Sequence, residues 1–166
     1  MTTTAVEKGV TTQVYRVFIK ATPQAIWEAI TRPEWLEKYG YACRADFDLR
    51  PGGAYRAYAN AAMKAHGTPE VIIVGEVLES QPPRKLVQTW HPVWDPQAAA
   101  ETATRLTWEI QAEDGGVCSL TVTHDVTGAP SAAKMVAGEI PGAGGGWSYV
   151  LSDLKTLLET GKALAG

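Results

Sequence analysis

The stretch PGAGGGWSYVLSDLKTLLETG, Pro141 to Gly161, sets four glycines within five positions directly ahead of an amphipathic run. Glycines so placed either cradle a phosphate or lead into a helix. A dinucleotide fingerprint counted from Gly142 and Gly144 needs a third glycine where Trp147 stands, and a Walker loop needs a Gly-Lys-Ser/Thr that is absent. A phosphate loop also works by ending a strand and opening a helix inside a βαβ unit, so the neighbouring elements decide between the two readings.

Downstream, Trp147, Val150, Leu151, Leu154, Leu157 and Leu158 recur at helical spacing and form one apolar stripe. Ser148, Ser152, Asp153, Lys155 and Glu159 are assigned to the opposite, solvated face, and Gly161 stands at the stop position. About 15 helical residues span roughly 22 Å, enough to lie across the concave face of a curved sheet.

Upstream, the chain reads as strands joined by turns. Gln13 to Lys20 alternates and is rich in β-formers. Two short helices follow: Thr22-Pro23 offers a cap and a first-turn proline before QAIWEAI, and Thr31 with Glu34 has capping-box spacing before WLEKY. CRADFDL and GAYRAYA flank the turn Arg50-Pro51-Gly52-Gly53. VIIVGEVLES and KLVQTWH flank Gln81-Pro82-Pro83-Arg84, and TATRLTWEI and VCSLTVTHDV flank Glu113-Asp114-Gly115-Gly116. That makes seven strands, the last six of them joined mostly by short turns, hence an antiparallel meander. No strand follows the long helix, so the glycines have no βαβ frame and read as a flexible lead-in.

The expected organisation is a flexible segment over 1–12 and a single domain over 13–164, long enough for one core. Fifteen basic and eighteen acidic residues give a net charge of −3, and the longest basic cluster is the Arg84-Lys85 pair, which argues against nucleic acid as partner. The opening MTTTAVEKGV lacks a basic flank and an apolar run, and no stretch approaches the roughly 20 apolar residues of a membrane span, so a cytoplasmic protein is expected. Cys43 and Cys118 belong to no CxxC or Cys/His cluster; they read as small buried hydrophobes, and neither a disulfide nor a metal nor another cofactor is expected.

Alternation assigns the inward faces. Tyr55 and Ala57 on the third strand, Leu86, Gln88 and Trp90 on the fifth, Leu106, Trp108 and Ile110 on the sixth, and Leu120, Val122 and His124 on the seventh should face the helix. The result is an apolar cleft of Trp90, Trp108 and Trp147 with the polar tips of Tyr55, Gln88 and His124, floored by Leu151 and Leu154, the make-up of a small-molecule site. Plain core is the competing reading, and His124 reads first as a hydrogen-bonded core histidine. His124-Asp125 is not an acid/base dyad, because neighbours in a strand point to opposite faces. No Gly-x-Ser-x-Gly elbow occurs, and no two histidines or carboxylates have metal-ligand spacing. No catalytic residue is assigned; an acid or base would have to come from His124, Tyr55 or Glu139.

A strand, two short helices, a six-stranded meander and a long last helix are the order of an α+β helix-grip (START-like) fold. FDLRPGGAYR, GEVLESQPPRKLVQTW, LTVTHD and GGWSYVLSDLKTLLETG resemble the SRPBCC proteins similar to the carboxy-terminal domain of the activator of the 90-kDa heat-shock-protein ATPase. Two departures stand out. Tyr39-Gly40 replaces a common Trp-Trp pair, and HPVWDPQAAAETA is a long connection; both should alter the mouth of the pocket. The resemblance implies a seven-stranded sheet around the helix and a binding protein for a small apolar or aromatic ligand. A cyclase- or hydrolase-type enzyme using a pocket His or Tyr is the second reading and a co-chaperone-like interaction module for a heat-shock ATPase the third, with that ATPase or a second copy of the chain as the protein partners to consider.

Overall fold

The computed structural model describes residues 11–141 and 144–164. Most of the segment expected to be flexible, and Gly142 of the glycine run, lie outside the described residues. Thr11 and Thr12 lie within them, and Thr12 already belongs to the first strand.

The strands are β1 (Thr12–Ile19), β2 (Ala45–Phe47), β3 (Ala54–Tyr58), β4 (Val71–Gln81), β5 (Lys85–Pro92), β6 (Thr104–Ala112) and β7 (Cys118–Asp125). They form one sheet in the order β1-β7-β6-β5-β4-β3-β2, with all neighbours antiparallel. The meander is the expected one, and β1 returns to pair with β7. The helices are α1 (Pro23–Thr31), α2 (Pro33–Leu36), α3 (Ala61–Ala65), α4 (Pro96–Ala99), α5 (Pro130–Ala137) and α6 (Gly146–Thr160). The long helix α6 packs against β1, α1 and α5, and Ile19, Ile26, Leu86, Leu106, Leu120 and Leu154 lie fully buried in the shared core.

Local chemistry explains most element ends. Thr22 Oγ1 accepts from Ala25 N at 3.1 Å and Pro23 opens α1, as the sequence predicts. The expected capping box at Thr31 does not form. Thr31 ends α1, its hydroxyl donating to Trp27 O at 2.7 Å, and extended Arg32 precedes α2 without a side-chain cap. Pro33 is the reason: it disfavours helical backbone at the residue before it, so the break falls at Arg32. Only two short helices are expected, yet α3, α4 and α5 are present as well. Asn60 caps α3, accepting from Met63 N at 2.8 Å, and Asp95 caps α4, accepting from Ala98 N at 3.0 Å. The N-terminus of α5 is served by the remote Glu101, whose carboxylate accepts from Ser131 N at 3.0 Å. The long β5–β6 connection therefore buttresses α5.

Two described glycines of the run, Gly144 and Gly146, stand where packing leaves no room for a side chain. Gly146 has φ +65°, and a Cβ there would stand 2.2 Å from Val136 O at the end of α5. A Cβ on Gly144 would meet the Tyr41 ring at 2.6 Å. The Gly146 contact lets the start of α6 approach the end of α5 backbone to backbone, which only glycine permits, and Gly144 makes room for the Tyr41 ring.

Asp153 corrects a second expectation. Assigned to the solvated face, it is 2% exposed: Oδ2 accepts from Gly40 N at 2.8 Å and Oδ1 from Leu164 N at 2.7 Å. It pins α6 to the loop after α2 and to the end of the chain. Tyr39 beside it is buried, its hydroxyl donating to Ala29 O at 2.9 Å, so the Tyr39-Gly40 departure serves a specific contact. Asp153→Asn turns one acceptor into a donor facing an N–H, and should lower stability by about 1 to 2 kcal/mol. A denaturation midpoint equal to that of the wild type would show that these bonds do not persist in solution.

Cys43 is half-buried and Cys118 is buried; both are free thiols. Cys43 precedes the edge strand β2, whereas Cys118 lies on β7 next to the other edge.

Candidate functional site

Period-two alternation puts the predicted inward set where it was expected. Tyr55, Ala57, Leu86, Gln88, Trp90, Leu106, Trp108, Ile110, Leu120, Val122 and His124 are all buried, and Asp125, next to His124, is exposed. Cross-strand register makes one patch of them: Leu86 is paired with Trp108 and Trp108 with Val122, while Gln88 is paired with Leu106 and Leu106 with His124.

Within this patch five of the eight candidate residues are joined by direct contacts. The rings of Trp108 and Trp147 meet edge to face at 5.2 Å, Trp90 meets His124 edge-on at 5.1 Å, and Trp147 stands 6.0 Å from His124. Trp108 Nε1 donates to Gln88 Oε1 at 3.2 Å. Tyr55 packs instead on Phe47, the ring centroids 4.6 Å apart. Burial pushes the Tyr55 phenol well above the usual range, so it stays a neutral hydroxyl. Leu151 and Leu154 are buried on α6 in the same core.

The electrostatics of His124 follow from a chain of hydrogen bonds. Thr104 Oγ1 lies 2.6 Å from Trp90 O, which can only accept, so the hydroxyl hydrogen is spent there. The same oxygen lies 2.8 Å from His124 Nε2 and must accept from it. Trp147 Nε1 can only donate, and it donates to His124 Nδ1 at 3.0 Å. The imidazole is therefore the neutral tautomer with its proton on Nε2. Desolvation of a fully buried ring pushes its pKa down to about 4, against a smaller opposing pull from the Asp125 carboxylate. Both nitrogens are occupied, so in this closed arrangement His124 is a structural hydrogen-bonding residue and not a free base.

The patch, for which an apolar cleft and plain core are the competing readings, is thus largely filled by its own side chains. Trp90, Trp108 and Trp147 retain 8%, 7% and 8% of their surface. Two open grooves lie elsewhere. One, about 560 Å³, is bordered by Glu37, Arg44, Asp46, Tyr58 and Lys64 near the β2 edge, and the other, about 390 Å³, crosses the outer sheet face by Arg16, Phe18 and Glu109. Glu139 lies on the loop after α5 and His66 at the end of α3. Among the described residues no group of three His, Cys, Asp or Glu side chains could hold a metal, and no helix is long and apolar enough to cross a membrane.

Sequence reasoning missed Thr104, Asp153 and Glu101. Thr104 opens a strand, where a threonine reads only as a β-former. Glu101 sits in a connection, and its partner lies 30 residues away in the chain.

A curved antiparallel sheet carrying a long last helix across its inner face defines a helix-grip protein. The particular family follows from the sequence: residues 20–159 match the model of the Activator of Hsp90 ATPase homolog 1-like proteins, and the chain belongs to that family. No curated protein matches it. Among solved structures, a protein from Mesorhizobium loti is 20% identical with a TM-score of 0.66, covering 89% of this chain and 96% of its own. An HSP90 activator from Plasmodium falciparum is 21% identical with a TM-score of 0.55, covering 93% and 91%. DynU16, a protein of the dynemicin biosynthetic locus, is 20% identical with a TM-score of 0.64 over 92% of this chain. The chain spans 49% of DynU16 and 59% of the crystallised CalU16 chain from Micromonospora echinospora. At these identities the likeness is one of fold.

Proposed function

We propose that the chain is a binding protein for a small apolar or aromatic molecule, held between the inner face of the sheet and the first turns of α6. The observation that carries this reading is the seam between them. The first turn of α6 meets the sheet through a hydrogen bond and ring edges, Trp147 on His124 and Trp108, whereas Leu151, Leu154 and Leu157 below it are plain aliphatic core. Polar groups at an apolar contact add less to packing than aliphatic side chains would, but they orient a guest. The seam is closed in the structure, so binding requires the first turn of α6 to move.

The test is saturable binding of the neutral fluorophore N-phenyl-1-naphthylamine, read by its emission and by quenching of tryptophan fluorescence. One-to-one binding that Trp147→Ala weakens is the expected outcome. No saturable binding of any apolar probe would make the patch closed core and end this reading.

Family membership favours a second reading, contact with a heat-shock ATPase. A change in the ATPase rate of purified 90-kDa heat-shock protein on adding the chain would support it. An enzyme is the least supported alternative, since the one inward-facing imidazole has both nitrogens engaged.

A further inference from the structure

The hydrogen-bond chain and the charges around it narrow the ligand class of the site just proposed. We infer that the ligand is an uncharged aromatic bearing a hydroxyl group, which takes the place of the Trp147 N–H by donating its own O–H to His124 Nδ1. The inference rests on the reading of the patch as a binding site.

Three observations carry it. First, His124 Nδ1 has one partner, the Trp147 indole, while Nε2 is committed through Thr104 to the backbone at Trp90. When the first turn of α6 lifts to admit a guest, Nδ1 is left as a bare acceptor at a fully buried ring. An orphaned buried acceptor is unfavourable, so a guest that donates a hydrogen bond there is selected over one of equal shape that cannot. Second, no lysine or arginine is among the buried residues described, and the polar neighbour Gln88 is neutral. A carboxylate or sulfonate would enter an apolar site with no cation to meet it and an acceptor pointing at it. Third, the walls are indole rings presented edge and face, which suits a planar aromatic body.

Three probes of one shape separate the possibilities: 2-naphthol, which is neutral near pH 7 and donates; 2-methoxynaphthalene, which cannot donate; and 2-naphthoate, an anion. With the full chain, 2-naphthol should bind about tenfold more tightly than its methyl ether, with 2-naphthoate weakest. In His124→Phe the preference for 2-naphthol over the ether should vanish while both still bind. If that variant fails to fold, the wild-type ¹⁵N spectrum decides: with 2-naphthol the Nδ1 resonance of His124 should stay in the range of a hydrogen-bonded acceptor, the O–H replacing the Trp147 N–H, and with the ether it should move downfield to that of a bare acceptor. Equal affinity of 2-naphthol and its ether, or binding of 2-naphthoate as tight as either, overturns the inference and leaves the binding site standing. Failure of all three to bind overturns both.

Discussion

Replacing Trp147 by alanine should lower the stability of the domain by about 3 to 5 kcal/mol, the range for truncating a large core aromatic. Trp147 is 8% exposed, packs edge to face on Trp108, and supplies the one hydrogen bond to His124 Nδ1. Its loss removes buried apolar surface, opens a cavity under the first turn of α6 and strands an acceptor, and these costs act in the same direction. Trp147→Phe separates them, because it keeps most of the ring and removes the N–H. It should cost clearly less than the alanine variant, by chemical denaturation under identical conditions. Trp94→Ala, at a tryptophan 41% exposed, serves as the control and should be near neutral. A cost below about 1 kcal/mol for Trp147→Ala would mean that the first turn of α6 does not dock on the sheet in solution. Under the proposed function the same variant should also lose affinity for the neutral fluorophore, so both quantities are to be measured on one preparation.

The second large effect is a dependence of stability on pH that one residue governs. Burial holds His124 neutral and lowers its pKa from the ordinary 6.5 to about 4. Between these values the unfolded chain binds a proton that the folded chain does not, so stability rises with pH across this window. Acidification therefore removes stability progressively from about pH 6.5 down to about pH 4, by roughly 3 kcal/mol in all. The groups nearest the ring are few. The tryptophans on β5, β6 and α6 are uncharged, and on β7 Asp125 points to solvent and pulls weakly in the opposite sense. Asp125 and Glu159 have lowered pKa values, Asp125 through hydrogen bonds to Thr127 and Glu159 through one to Lys155. What they contribute is lost only at the acid end, below the ordinary carboxylate range, and so falls outside most of the His124 window. His124→Gln keeps a donor and an acceptor without a titrating ring. Its denaturation midpoint should be nearly flat over that window, and a slope equal to that of the wild type would show that His124 is not the group responsible.

Much of the inward-facing aromatic patch was legible because strand geometry is local. A side-chain period of two assigns faces from the sequence alone, and every inward residue so assigned, from Tyr55 to His124, is buried. The same reasoning separated His124 from Asp125. The helix was less fully legible. Asp153 sits beside the stripe, three residues after Val150 and four before Leu157, and it was assigned to solvent because of its charge, not its angle on the helix. A carboxylate can occupy such a flank when backbone N–H groups meet it, and Gly40 and Leu164 do so from outside the helix. The short helices α3, α4 and α5 offered too few periodic positions to register. Their caps, Asn60 and Asp95, and Pro130 at the first position of α5 were the signals present.

By itself the sequence determined the meander of the last six strands, the face each strand turns inward and the amphipathic last helix. Each of these follows from periodicities and turn residues that act over a few positions. Tertiary structure alone decided that Gly146 packs α5 against α6, that Glu101 caps a helix across the chain, and that Trp147 meets His124 and closes the aromatic face. Those contacts join residues 10, 30 and 23 positions apart. Alternation says which way a side chain points, but whether the space it points into is empty or occupied depends on how closely a helix approaches a curved sheet, and that distance is set by the packing of all the elements together.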